Sequence, residues 1–232
     1  MEKSGFILIN KPVGPTSHDI VDALRRITGI RKIGHAGTLD PFASGLLILG
    51  VGREATKKLS VFLRQDKEYI AKVRLGAIST TCDRDGEIRL TRNPKTPARE
   101  DIEKVVKKFI GEIKQVPPAF SAKKVKGKKL YELARSGVEI KLKPVSLVVR
   151  DIEVLNYDWP FLDIKVQCSS GTYIRSLARD IGEDLGCGGY LEELCRTKIG
   201  GLSLDDALEI SRLNSRNWRE FLMPAGREAP IS

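Results

Sequence analysis

Val145-Ser-Leu-Val-Val-Arg-Asp-Ile-Glu-Val-Leu-Asn156 and Phe161-Leu-Asp-Ile-Lys-Val-Gln-Cys168, parted by a turn at Asp158-Trp159-Pro160, carry the reading of the fold. Two long apolar-rich segments around so short a turn read as an antiparallel hairpin. Downstream, a helix is expected near 172–185, then a glycine-rich turn, a strand to about Ile199, and two short helices near 203–209 and 211–222. Upstream, Asp66 to Leu75 alternates, with Tyr69, Ala71, Val73 and Leu75 on one face and Lys72 and Arg74 on the other. That is the signature of a half-buried strand. Strands and helices do not alternate regularly, so a doubly wound sheet is not expected. The pattern predicts an α+β fold with a mixed, mostly antiparallel central sheet flanked by helices.

The N-terminal third supplies the remaining elements. Residues 6–9 read as a strand stopped by Lys11-Pro12, and Ser17 is placed to cap a helix with the apolar set Ile20, Val21, Leu24 and Ile27. Gly29 lies just past its end. Residues 30–45 hold Gly34, Gly37, Pro41 and Gly45 without a clear period, and predict a loop. Leu46–Val51 reads as a buried strand and Glu54–Leu63 as a short helix. Thr96-Pro97 opens a helix with the stripe Ile102, Val105, Val106, Phe109 and Ile110, ended by Gly111.

The 232 residues are 41% hydrophobic and 30% charged, which suits a folded protein with a real core. Apolar runs such as Leu46–Leu49 fall far short of the ~20 residues of a membrane span. Asn10, Lys11 and Pro12 interrupt Phe6–Ile9 too early for a signal peptide. Cys82, Cys168, Cys187 and Cys195 show no C-x-x-C spacing, and with His18 and His35 they make a poor zinc set. Reduced thiols, a cytoplasmic location and no membrane or metal partner are the expectations.

Charge is more informative. The net charge of +10 calls for a polyanionic partner. Eight basic and two acidic residues fall among the 21 from Lys123 to Lys143, so this segment carries +6 of the total. Lys123 and Lys124 open it. Clustered charge attracts a phosphate backbone better than scattered charge. Bounded by Pro117 and Pro144, the segment reads as an excursion from the main domain.

Three places could hold chemistry. Gly34-His35-Ala36-Gly37-Thr38-Leu39-Asp40-Pro41 puts an acid and a histidine five residues apart in a loop beside a core strand. Asp40 there can serve as nucleophile or base, although Asp-Pro is also an ordinary turn dipeptide. Gly171-Thr172-Tyr173-Ile174-Arg175 precedes a helix, so Tyr173 and Arg175 sit in its first turn, where an arginine can hold a carboxylate through paired hydrogen bonds. Gly50-Val51-Gly52-Arg53-Glu54-Ala55 loosely matches a dinucleotide fingerprint, but the repeated βαβ units that such a site needs are missing.

Gly5-Phe-Ile-Leu-Ile-Asn-Lys-Pro12, Gly34-His-Ala-Gly-Thr-Leu-Asp-Pro41, Gly127-Lys-Lys-Leu-Tyr131, Gly171-Thr-Tyr-Ile-Arg175 and Gly186-Cys-Gly188 occur in that order. Together they resemble the bacterial tRNA pseudouridine-55 synthase family, the TruB type, over about residues 5 to 224. The resemblance implies a pseudouridine synthase fold in a single catalytic domain, 1–232, with a thumb-like insertion at about 117–143. It implies Asp40 as the catalytic aspartate, Tyr69 as the tyrosine stacking on the target base, and Arg175 as the arginine paired with the aspartate. Tyr173 and Leu194 match substrate-pocket positions, and His35 the histidine that enters the RNA loop as the base leaves. Lys11, Lys123 and Lys124 join the substrate-binding set.

Two departures stand out. The family usually ends in a small RNA-binding PUA domain, which is not expected here, and Cys195 stands where the family often has arginine.

The chemistry fits these residue types. In the implied reaction uracil leaves its ribose carbon, turns and reattaches through C5, with no metal or redox cofactor. The base must leave the folded RNA, at a cost of a few kcal/mol. Tyr69 offers a stacking face worth ~1–3 kcal/mol. The expected function is isomerisation of uridine 55 in the T-loop of tRNA by a monomer that needs no cofactor. The alternatives are a non-catalytic RNA-binding or tRNA-folding protein on the same scaffold and a nucleotide-dependent enzyme using Gly50–Ala55.

Overall fold

A computed structural model describes residues 4–118, 124–125, 128–129 and 143–225. The chain divides into two compact units, Met1–Tyr69 with Cys195–Ser232, and Ile70–Leu194. Strands β4 (Lys67–Leu75) and β12 (Gly189–Ile199) have residues in both.

In the first unit the strand order is β14 (Met223–Pro224), β1 (Gly5–Lys11), β3 (Ser44–Val51) and β12. β1 and β3 are antiparallel, while β3 and β12 run parallel through Cys195↔Ser44 and Arg196↔Gly45. β2 (Ile33–Ala36) pairs with β3, and β13 (Leu202–Ser203) with β12. Helices cover both faces of the central pair, which is why β1 and β3 read as unbroken apolar runs. Ile7, Ile9, Leu47, Leu49 and Val51 pack with Ile20, Val21 and Leu24 of α1 (Ser17–Thr28) and with Trp218. On the other face Phe6, Leu8, Leu46 and Ile48 pack with Ala55, Leu59 and Phe62 of α2 (Gly52–Arg64).

The second unit orders its strands β4, β11 (Phe161–Cys168), β10 (Val145–Asp158) and β7 (Gly111–Gln115). The expected hairpin is present, with Asp158 paired to Phe161 across Trp159-Pro160. β11 buries every second residue: Leu162, Ile164, Val166 and Cys168. β10 does not, because register shifts at Val149/Asp151 and Val154/Asn156 rotate its side chains, so that Val149 and Ile152 are the buried ones. α3 (Arg99–Lys108), α4 (Ile174–Asp184) and a hairpin of β5 (Ala77–Ser79) and β6 (Ile88–Leu90) complete this unit. β8 (Lys124–Val125) pairs with β9 (Lys128–Lys129). The other residues of the expected thumb from 119 to 142, Lys123 included, lie outside the described residues. The architecture is α+β with a mixed, mostly antiparallel sheet.

Several expectations are corrected. Residues 33–36 form β2 rather than loop, because their main chain finds the free edge of β3. Thr16, not Ser17, caps α1. Its hydroxyl accepts from the Asp19 amide at 3.1 Å, and its own amide donates to the Asp19 carboxylate at 2.8 Å, a capping box. α3 starts at Arg99 rather than at Thr96-Pro97, with Ala98 as its N-cap. Where two short helices were expected, the described residues form three short 3-10 helices, Leu204–Asp206, Ile210–Arg212 and Trp218–Phe221.

Candidate active site

The expected site residues fall into two sets, one in each unit. Lys11, His35, Asp40 and Tyr69 belong to the first; Tyr173, Arg175 and Leu194 belong to the second. The side chains of Lys123 and Lys124 lie outside the described residues.

Asp40 opens a turn through Pro41 and Phe42 that closes where the Ala43 amide donates to the Asp40 carbonyl at 3.1 Å. The loop is pinned on both sides. Ser17, released from capping, donates its hydroxyl to the Leu39 carbonyl at 3.0 Å and accepts from the Leu39 amide at 2.9 Å. The Gly14 amide donates to the Pro41 carbonyl at 2.8 Å. Arg196 Nη2 donates to the Gly37 carbonyl at 3.1 Å and Nε to the Leu46 carbonyl at 2.8 Å. The half-buried Asp40 side chain is thereby presented from main chain held at four points.

Lys11, at the end of β1, is fully buried, and its ammonium donates to the Pro12 and Pro15 carbonyls at 2.8 Å each. Burial pushes its pKa down to about 8; the Asp40 carboxylate pulls upward, the Arg196 guanidinium downward, and Asp19 upward. His35 lies on β2. Burial first, then the charges of Arg196 and His18, hold its imidazole below the ordinary range, and its Nδ1 is buried without a hydrogen-bond partner. A neutral imidazole is favoured at neutral pH.

Tyr69 is half-buried on β4, next to two anchored neighbours. Lys67 donates to the carbonyls of Phe62, Leu63 and Gln65 at the end of α2, at 3.2, 2.8 and 2.5 Å. Glu68 accepts from Thr197 Oγ1 at 2.8 Å and pairs with Lys198 at 3.4 Å. The register of β4 beside Tyr69 is therefore fixed by side chains as well as by pairing.

In the second unit Tyr173 is the N-cap of α4. Gln115, 1% exposed, grips its main chain twice, donating to the Tyr173 carbonyl at 3.0 Å and accepting from its amide at 2.8 Å. Arg175 follows in the first turn, buried, with Nη1 2.9 Å from Asp83 Oδ2. Asp83 also accepts from Thr81 Oγ1 at 2.5 Å and from the Asp85 amide at 3.1 Å. Leu194 is half-buried on β12.

Asp83, Gln115, Ser17 and Arg196 are the site supports that the sequence reading did not find. The available signals were thin: Asp83-Arg-Asp-Gly86 is a turn-type acidic run, and Arg196 is a charge inside a strand. The Gly50–Ala55 turn is not a nucleotide cradle. Ser4 Oγ accepts from the Ala55 amide at 3.0 Å and donates to the Val51 carbonyl at 2.9 Å, so the chain itself occupies the start of α2. Among the described residues, no cluster of three His, Cys, Asp or Glu could hold a metal, and no helix is long and apolar enough to cross a membrane. The four cysteines are free thiols.

The fold is shared with known structures. The chain superimposes on a chain of a Cbf5-Nop10-Gar1 complex with a TM-score of 0.69 and 33% identity, covering 88% of this chain and 51% of that one. A chain of an H/ACA RNP bound to a substrate RNA containing 2'-deoxyuridine gives 0.70 and 28%, covering 95% and 59%. This chain thus spans little more than half the length of those two. The fold and the family match place the chain among the pseudouridylate synthases.

Residues 25–174 match the N-terminal domain of the TruB family pseudouridylate synthases, and residues 175–225 match the tRNA pseudouridylate synthase B C-terminal domain. The chain belongs to the TruB family. It is 46% identical over 211 residues to tRNA pseudouridine synthase B of Protochlamydia amoebophila, covering 91% of this chain and 80% of that protein. The protein of the same name from Clostridium tetani is 41% identical over 222 residues, covering 96% and 76%.

Proposed function

We propose that this protein isomerises uridine 55 in the T-loop of tRNA to pseudouridine, with Asp40 as its catalytic aspartate. The class of reaction rests on the family and on the relatives named tRNA pseudouridine synthase B. The observation that carries the site assignment is the Asp40 loop, pinned at Leu39, Pro41, Gly37 and Leu46 around one partly exposed carboxylate.

In this reading tRNA enters with its T-arm, drawn by the basic residues from Lys123 onward, with Lys123 and Lys124 as phosphate contacts. The target uridine leaves the stack, His35 takes its place, and Tyr69 stacks on the extruded base. Tyr173 and Leu194 line the pocket. Asp40 acts at the ribose or the base as nucleophile or general base, and Arg175, in the role the family resemblance gives it, keeps that carboxylate ionised. The glycosidic bond breaks, uracil rotates, C5 bonds to the ribose carbon and the C5 proton departs. N1 gains a proton in place of the one that C5 loses and every heavy atom of the base is retained, so neither an oxidant nor a reductant enters. The proposed setting is the cytoplasm and the working unit a monomer.

The test is incubation of the protein with unmodified tRNA transcript, followed by chemical mapping of pseudouridine. Conversion at position 55 and nowhere else in the transcript is expected. Tight tRNA binding without conversion would favour the non-catalytic RNA-binding reading instead.

A further inference from the structure

β12 carries a buried guanidinium that takes no part in the bond-making and bond-breaking steps above. Arg196 is 2% exposed, and its two side-chain hydrogen bonds both go to main-chain carbonyls. Those carbonyls bracket the catalytic loop: Gly37 lies before Asp40 and Leu46 after it. Neither bond goes to a carboxylate: the guanidinium spends Nε and Nη2 on peptide carbonyls. An apolar side chain would fill the same slot at a smaller desolvation cost. What a guanidinium adds is a rigid planar fork able to hold two acceptors at a fixed separation. The backbone is committed as well, since Arg196 pairs with Gly45 at the start of β3. The charge also reaches its neighbours, lowering Lys11 and His35 beyond what burial does.

We propose that Arg196 is a positioning residue for the isomerisation, clamping the main chain on both sides of the Asp40 loop so that the carboxylate is presented at one fixed place. Arg196 touches neither base nor ribose; it acts through Asp40. The inference rests on the proposed activity, because the loop it holds is the one assigned to chemistry there.

The variants are Arg196→Lys and Arg196→Ala. Lysine keeps the charge but offers a single flexible point instead of a fork. With unmodified tRNA, Arg196→Lys should leave Kd and KM within about threefold of the parent protein and lower kcat by about 100-fold, the penalty of a misplacement near 1 Å. Added methylguanidinium should recover at least about tenfold of kcat in Arg196→Ala. Hydrogen–deuterium exchange on Arg196→Lys should quicken in peptides covering 37–46 and stay unchanged in β10 and β11.

A kcat within about threefold of the parent in Arg196→Lys would overturn the clamp. So would a loss confined to KM, failure of methylguanidinium rescue, or accelerated exchange across the whole chain, which would mark a folding role only. If both variants fail to fold, the proposal is likewise wrong. A parent protein that forms no pseudouridine would defeat the proposed function, and the exchange pattern would still report on the clamp.

Discussion

Gly45→Ala probes a close main-chain approach in the first unit. Gly45 has φ 105°, and a methyl carbon built on it would stand 2.3 Å from the Arg196 carbonyl oxygen and 2.6 Å from the Arg196 nitrogen. The first contact is about 1 Å short of the ~3.3 Å at which carbon and carbonyl oxygen normally meet. Both obstructing atoms are backbone, so no side chain can swing aside and the β3–β12 pair must part. Left-handed backbone costs an alanine roughly 1–2 kcal/mol, and forcing a packed contact apart adds typically ~1–3 kcal/mol. The reduced freedom of the unfolded chain returns about 0.4–1 kcal/mol. The expected net loss is about 2–4 kcal/mol, a large share of the ~5–15 kcal/mol that holds a domain together. Gly29→Ala is the control. It sits at φ 73° beyond α1 with nothing within 4 Å of the added methyl, so it meets the conformational cost alone, about 1 kcal/mol. Urea unfolding followed by circular dichroism gives both values. Turnover on tRNA below the unfolding transition should fall in Gly45→Ala and not in Gly29→Ala, because only the first displaces Arg196. Equal destabilisation of the two, within about 0.5 kcal/mol, would refute the close-approach reasoning.

Three further outcomes are expected. Arg175→Lys keeps the charge but loses the planar fork that reaches Asp83 at 2.9 Å, so kcat on tRNA should drop at least about tenfold with tRNA affinity retained; unchanged kcat would remove Arg175 from the mechanism. Tyr69→Phe should keep tRNA affinity through its ring face and lose turnover if the hydroxyl moves the C5 proton, whereas Tyr69→Leu should lose both; a Phe variant as active as the parent would leave stacking as the only role. Lys11, lowered from 10.5 to about 8 by burial, binds fewer protons folded than unfolded between those values, so its penalty is in full below pH 8 and is relieved as pH rises toward 10.5. Urea unfolding from pH 7 to 10 should show the parent gaining on Lys11→Met by up to about 3 kcal/mol, and a constant difference would contradict the buried ammonium.

Elements whose signal is local were legible in the sequence. The 161–168 alternation, the unbroken runs of β1 and β3 and the Asp-Pro turn all depend on neighbours in the chain, and the structure has them where they were expected. β2 was not legible, because Gly34 and Gly37 mask a strand that exists only through its pairing with β3. At α1 two adjacent hydroxyl residues competed for one cap. Thr16 won through Asp19, which left Ser17 for Leu39, and that choice depends on where a loop 22 residues away returns. The supports of the candidate site were hidden for the same reason. Asp83 meets Arg175 across 92 residues, Gln115 meets Tyr173 across 58, and Arg196 meets Leu46 across 150. No spacing rule spans such separations. The family resemblance identified the residues proposed to carry chemistry, and the fold identifies what holds them.

The role of Asp40 is tested most directly by tritium release from tRNA carrying uridine labelled at C5, measured in single turnover for the parent protein and for Asp40→Asn. The substitution keeps the shape of the side chain and the four anchors of its loop, which are made to main chain and not to the carboxylate. Fold and tRNA affinity should therefore survive while tritium release and pseudouridine at position 55 vanish. Release by Asp40→Asn at a rate near that of the parent would show that the reaction does not run through this aspartate.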